Sequence, residues 1–142
     1  MKRDVSECLR SGCFLYPDLV LPDRATPDTD AALQRLEAHI DSAVVPWIWQ
    51  LEVGNTLGKA VVKGKVPLVQ ALEIWDELVL LPIRQVAIGN IPQLVGMAVM
   101  HNLSLYDTCY LQAALVSKLP LATNDHKLRL SAEANGITVL VP

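Results

Sequence analysis

The chain has 142 residues, a length that fits a single domain. Apolar residues make up 51% of it and charged residues 19%, with a mean hydropathy of +0.31. This composition is apolar for a soluble monomer and predicts that a partner or a second copy covers part of the surface. The net charge of −3 excludes a general attraction to nucleic acid, so binding of that kind must depend on a local basic patch or a metal ion.

The cysteine pattern and the apolar runs bear on the cellular compartment. The three cysteines form no CxxC pair, and no histidine lies at zinc-like spacing from them. The first apolar run, residues 13–21, contains a proline and an aspartate and is a poor signal-peptide core. No stretch approaches the roughly 20 apolar residues of a membrane span. The sequence therefore predicts reduced cysteines, a cytoplasmic location and no membrane partner.

Helices and strands alternate in the predicted chain order. The first two elements are a strand at 13–21, weakened by Pro17, and a helix that starts at Thr26-Pro27 and runs to residue 40. The remaining predicted elements are a strand at 42–46, a helix at 47–62 ended by Gly64, a helix from Pro67 to Val79, an ambiguous segment at 80–88, a helix at 91–101, a helix at 106–118 opened by a capping box at Ser104, a strand at 119–123, a helix at 124–134 ended by Gly136, and a strand at 137–141.

This alternation predicts an α/β sandwich with a mostly parallel sheet flanked by helices. The helix after Pro67 is predicted to turn several apolar side chains toward the core: Leu68, Ala71, Leu72, Trp75, Leu78 and Val79. In parallel sheets, ligands gather at the carboxyl ends of strands, near helix N-termini. Residues 123–125, Thr-Asn-Asp, follow a predicted strand directly and are expected at such a position.

Three acids lie beside apolar runs rather than on charged faces: Glu52, Asp107 and Asp125. Each has a simple structural interpretation, because Glu52 can be an exposed helix residue and Asp107 can complete the capping box with Ser104. Asp125 can stabilise the first turn of the helix that follows it. Brought together at one sheet edge, the three could instead bind a hard cation such as Mg²⁺ or Mn²⁺. Spacing in the sequence alone does not show that they converge.

Such a metal site would suit phosphodiester hydrolysis. A divalent ion can bind a phosphodiester oxygen, orient a water molecule and lower the pKa of that water. Thr123 and Asn124 could hydrogen-bond around the attacking water. Lys127 and other lysines and arginines near the acids could contact phosphates, although a solvated charged face is the commoner role of such residues.

Three segments in order, VVPWIWQLEVGNTL, LSLYDTCYLQAAL and LPLATNDHKLRLSAEANGITVL, resemble successive motifs of PIN domains, especially VapC-type toxin ribonucleases. The resemblance runs from about Val20 to Val141 and implies a three-layer PIN-like sandwich. It implies that Glu52, Asp107 and Asp125 occupy metal-site positions, which favours a metal role over a capping role for Asp125. It also implies a Mg²⁺- or Mn²⁺-dependent endoribonuclease, usually a homodimer and usually neutralised by a small antitoxin protein.

The N-terminus departs from this pattern. PIN domains usually open with a strand that ends in a metal-binding aspartate, and the matching position here falls near Gly12. Asp18 follows an apolar run but has no serine or asparagine close behind it, whereas Asp4 begins a D-x-S fragment without a preceding strand. Residues 1–142 are therefore interpreted as one PIN-like domain with an atypical segment at 1–19. Asp18 is preferred to Asp4 as the fourth metal ligand, and the alternative function is a catalytically degenerate PIN-fold module that binds a partner or RNA.

Overall fold

A parallel sheet of five short strands lies at the centre of the molecule. The computed structural model describes residues 13–15 by their backbone, and 34–39 and 42–140 in full. The strands are β1 (Cys13–Leu15), β2 (Ala43–Pro46), β3 (Ile83–Val86), β4 (Leu121–Ala122) and β5 (Val139–Leu140). Their order across the sheet is β3-β2-β1-β4-β5, and every neighbouring pair is parallel. The predicted parallel α/β architecture is thus confirmed.

Five helices connect the later strands: α1 (Trp49–Val62), α2 (Leu68–Val79), α3 (Ile91–His101), α4 (Leu105–Ser117) and α5 (His126–Ala134). The predicted stops are confirmed, since Gly64 and Gly136 have φ angles of 69° and 75°. The ambiguous segment at 80–88 contains β3, an edge strand whose Arg84 and Gln85 are exposed. The predicted helix start at Thr26-Pro27 lies outside the described residues, but residues 34–37 are helical.

The core is built from the strands and one face of each helix. All residues of β2 and β4 are buried, as expected of apolar strands in a parallel sheet. Helix α4 packs against β1, β2 and β4, and it also contacts α3 and α5. It is the most buried helix, with six buried side chains from Thr108 to Ala114. No helix in the described ranges has both the length and the apolar character that crossing a membrane requires.

The predicted inward face of α2 is only partly correct. Ala71 and Leu78 are buried and Trp75 is half-buried, but Leu68, Leu72 and Val79 are 60%, 56% and 51% exposed. The physical reason is the packing of α2 against α1. An apolar groove of about 390 Å³ remains between the two helices, and Gly54 and Gly58 of α1 contribute no side chains to fill it.

The strand order fixes where a ligand site is expected. The chain proceeds from β1 through β2 to β3 on one side of the sheet, whereas β4 and β5 lie on the other side of β1. The order therefore reverses between β1 and β4, and a crevice forms at the carboxyl ends of strands at such a switch point. The same edge receives the N-termini of the helices that follow β2 and β4.

Candidate functional site

The topology brings the three predicted acids to the carboxyl edge of the sheet. Glu52 lies in the first turn of α1, just after β2, and Asp125 lies between β4 and α5. Helix α4 packs on β4 and is joined to it by a short loop, so the two run antiparallel and the N-terminal turn of α4, with Asp107, lies at this edge. Each carboxylate thus lies near the positive end of the dipole of its own helix.

Glu52 is tied to α4 by a buried tyrosine. Its side chain is half-buried, and its Oε2 accepts a hydrogen bond from the Tyr110 hydroxyl. The Tyr110 ring is 0% exposed and belongs to the core. The contact joins residues 58 positions apart, which no local sequence signal specifies. The interpretation of Glu52 as a solvated helix residue does not account for this partner.

Asp107 is held by the serine that caps its own helix. Ser104 Oγ accepts a hydrogen bond from the Asp107 backbone N–H at 3.1 Å and donates one to Asp107 Oδ2 at 2.6 Å. The serine cap of the predicted capping box is therefore present in the structure. Because the hydroxyl donates to a carboxylate, this capping also orients the acid.

Glu52 and Asp107 both affect the buried thiol of Cys109. Cys109 is 3% exposed, and its Sγ donates a hydrogen bond to the Leu105 carbonyl. Burial raises the pKa of this thiol above its ordinary value, and the negative charges of Glu52 and Asp107 raise it further. Two acids from different helices thus act on the same side chain.

Asp125 is the N-cap of α5. Its Oδ1 accepts a hydrogen bond from the Leu128 backbone N–H at 2.7 Å, and its own N–H donates to Thr123 Oγ1 at 3.0 Å. The capping role is therefore real. It does not exclude the metal role, because the cap engages Oδ1 and a carboxylate has two oxygens.

The predicted substrate-binding residues fall into two groups. Thr123 is 0% exposed and orders the turn before α5, whereas Asn124 and Lys127 are exposed at the start of that helix. Their contact with a substrate stays a prediction. Asp18 and Asp4, the candidates for a fourth metal ligand, lie outside the described residues.

The three acids lie at one edge of the sheet, but they do not form one metal-binding cluster among the described residues. Among residues 34–39 and 42–140, no group of three or more His, Cys, Asp or Glu side chains is close enough to hold a metal ion. The sequence paired Ser104 with Asp107 through the capping box, but it gave no indication that Tyr110 holds Glu52. The sequence signal that could have indicated Tyr110 is its spacing. It lies three residues after Asp107 and hence on the same face of the helix.

A solved structure shares the fold. No protein-family profile matches the chain, and no curated protein sequence is significantly similar to it. The crystal structure of PAE2754 from Pyrobaculum aerophilum superposes with a TM-score of 0.70 over 90% of this chain and 83% of that protein, at 19% sequence identity. At this identity the similarity concerns the fold alone.

Proposed function

We propose that the protein is a metal-dependent endoribonuclease with a PIN-like fold, in which Glu52, Asp107 and Asp125 form the catalytic centre. One observation carries the proposal: the topology leads all three acids to the same edge of a parallel sheet, beside the switch point between β1 and β4. The resemblance of the three sequence motifs to VapC-type ribonucleases supports the same assignment.

The donor set suits Mg²⁺ or Mn²⁺. These ions prefer oxygen ligands, and Mg²⁺ is often held by only one or two carboxylates together with several waters. Asp107 and Asp125 would hold the ion, with Glu52 and a fourth acid, Asp18 in preference to Asp4, completing the site. When bound, the ion would polarise the phosphodiester and lower the pKa of the attacking water.

Groups of the protein itself would hold the acids and the RNA in position. The Ser104 hydroxyl and the Leu128 backbone N–H fix one oxygen each of Asp107 and Asp125. The exposed Lys127 amine and Asn124 amide lie at the start of α5, at the same carboxyl edge of the sheet. They would contact RNA phosphates. Because such contacts are local, they are compatible with the net charge of −3.

The decisive experiment is Asp107→Asn. Asparagine keeps the size of the side chain and an oxygen that accepts from Ser104, but it removes the negative charge. We expect single-stranded RNA to be cut by the wild type in Mg²⁺ or Mn²⁺ and protected by a chelator. Loss of a group that only supports a metal ligand typically costs about 10–100-fold in activity. Because Asp107 is itself a proposed ligand, the cleavage rate of the variant should fall by more than that.

The control for this experiment is the melting temperature of the variant. An unchanged melting temperature with lost cleavage assigns Asp107 to chemistry rather than to helix capping. A variant that cleaves RNA as fast as the wild type would refute the proposed centre.

A second candidate function is a degenerate PIN-fold module that binds a partner or RNA without cutting it. The observation that favours it is the lack of a three-ligand group within the described residues. A wild-type protein that binds RNA or a partner but cleaves no RNA in either metal would establish this alternative.

Under both functions, the partner proposed from the resemblance is a small antitoxin protein. A neighbouring gene for a small DNA-binding protein would support that context.

A further inference from the structure

The Tyr110 hydroxyl joins Glu52 to the core. The ring is fully buried among the apolar residues of α4, yet its hydroxyl donates to the half-buried Glu52 carboxylate on α1. A buried tyrosine hydroxyl needs a hydrogen-bond partner, and most available partners would be backbone carbonyls. Here the partner is an acid at the sheet edge where the candidate site lies.

We propose that Tyr110 is a positioning residue that holds the Glu52 carboxylate beside Asp107, so that the two acids act on one divalent ion. This inference rests on the proposed function. Tyr110 lies three residues after Asp107, so α4 carries both an acid of the site and the group that holds a second acid in place.

The physical need for such a donor comes from the like charges. Both carboxylates lie at the N-terminal part of α4, since Asp107 belongs to its first turn and Glu52 accepts the hydrogen bond from Tyr110 one turn further on. Without a bound cation they repel each other, and a flexible glutamate would turn away toward solvent. A charge-assisted hydrogen bond from a rigid, buried ring keeps Glu52 in place at little further cost in side-chain entropy, because the ring is already fixed by packing.

The test measures Mn²⁺ binding by calorimetry, without RNA, for Tyr110→Phe in two backgrounds. In the wild-type background we expect about 10–100-fold weaker binding, the usual effect of losing a group that orients a metal ligand. In the Glu52→Ala background there is no carboxylate to position, so adding Tyr110→Phe should change the affinity less than about twofold. An equal loss in both backgrounds, or no loss in either, would overturn the inference.

Tyr106→Phe is the matched control. Tyr106 lies on the same helix, one turn before Tyr110, and is 62% exposed. Removal of its hydroxyl is expected to leave Mn²⁺ affinity unchanged. If Tyr106→Phe weakens binding as much as Tyr110→Phe, the effect does not come from the contact with Glu52 and the inference fails.

Urea unfolding of the metal-free protein separates this inference from the proposed function. For Tyr110→Phe, Glu52→Ala and the double variant, we expect stability losses that are clearly non-additive, as for side chains in direct contact. If the wild type binds Mn²⁺ but cuts no RNA, the proposed function fails while the Mn²⁺ affinities and this cycle still decide the inference; if it binds no Mn²⁺, the inference fails as well. Non-additive losses support Tyr110 as the group that holds Glu52, and additive losses overturn it.

Discussion

At the residue scale, each of the three acids is held by a different hydrogen-bond donor of the protein. The donors are a buried phenol for Glu52, a serine hydroxyl for Asp107 and a backbone N–H for Asp125. Helix N-termini favour the presence of Asp107 and Asp125, because the same N–H groups and dipoles that need a cap also favour an anion. Structural and catalytic roles are therefore compatible at Asp107 and Asp125, and substitutions that separate the two roles are informative.

Asp125 allows such a separation. Asparagine caps helices about as well as aspartate, so Asp125→Asn should keep most of the stability and lose metal-dependent RNA cleavage. Asp125→Ala removes the hydrogen bond to the Leu128 N–H as well, and should cost about 1 kcal/mol of unfolding free energy in addition to the activity. Urea unfolding and a cleavage assay on both variants check the prediction. Full activity in Asp125→Asn would show that Asp125 is only a cap.

At the scale of elements, α4 also holds the loop that leads from β3 to α3. The Gly89 backbone N–H donates to Gln112 Oε1 at 2.6 Å, and a Cβ at position 89 would lie 2.0 Å from Gln112 Nε2. A larger residue at position 89 would therefore require the flexible Gln112 side chain to move. Helix α4 therefore contacts the sheet, the Glu52 side chain and this loop.

Two glycines are predicted to respond in opposite directions to alanine. Gly89→Ala should lower the free energy of unfolding by about 1 kcal/mol, because Gln112 must move and lose its hydrogen bond. Gly96→Ala should raise it by about 0.5–1 kcal/mol, since Gly96 lies inside α3 with nothing within 4 Å of an added Cβ. Urea unfolding of both variants is the measurement. Equal stability of Gly89→Ala and the wild type would show that Gln112 does not restrain the loop.

At the scale of the whole molecule, many large apolar side chains of the described residues are exposed. Helix α3 has no Asp, Glu, Lys or Arg, and four of its large apolar side chains are exposed: Ile91, Val95, Val99 and Met100. Exposed apolar residues also occur on α1 and α2. This distribution agrees with the apolar composition, and the homodimer stays a prediction.

We expect the purified protein to be a dimer at concentrations of about tens of micromolar, an ordinary range for such association. Light scattering measures the mass directly. Val99→Lys places a charge on a side chain that is 78% exposed, so it should weaken association while changing the melting temperature little. A wild-type monomer across this concentration range would refute the prediction.

The sequence by itself determined the positions of most of the described elements and their caps. Those signals are local: apolar runs predict strands, Ser104 lies three residues before Asp107, and Gly64 and Gly136 follow the helices that they end. Hydrogen bonds between near neighbours need no knowledge of the fold. The three acids were identified in the same way, from carboxylates beside apolar segments and from the motif resemblance.

Only the tertiary structure decided which residues meet. The strand order put the switch point between β1 and β4, and the contact between Glu52 and Tyr110 joins residues 58 positions apart. The exposure of Leu68 and Leu72 likewise depends on how closely α2 approaches the glycines of α1. Such contacts depend on how whole helices and strands pack, and hydrophobic periodicity specifies which face of a helix is apolar but not what that face touches.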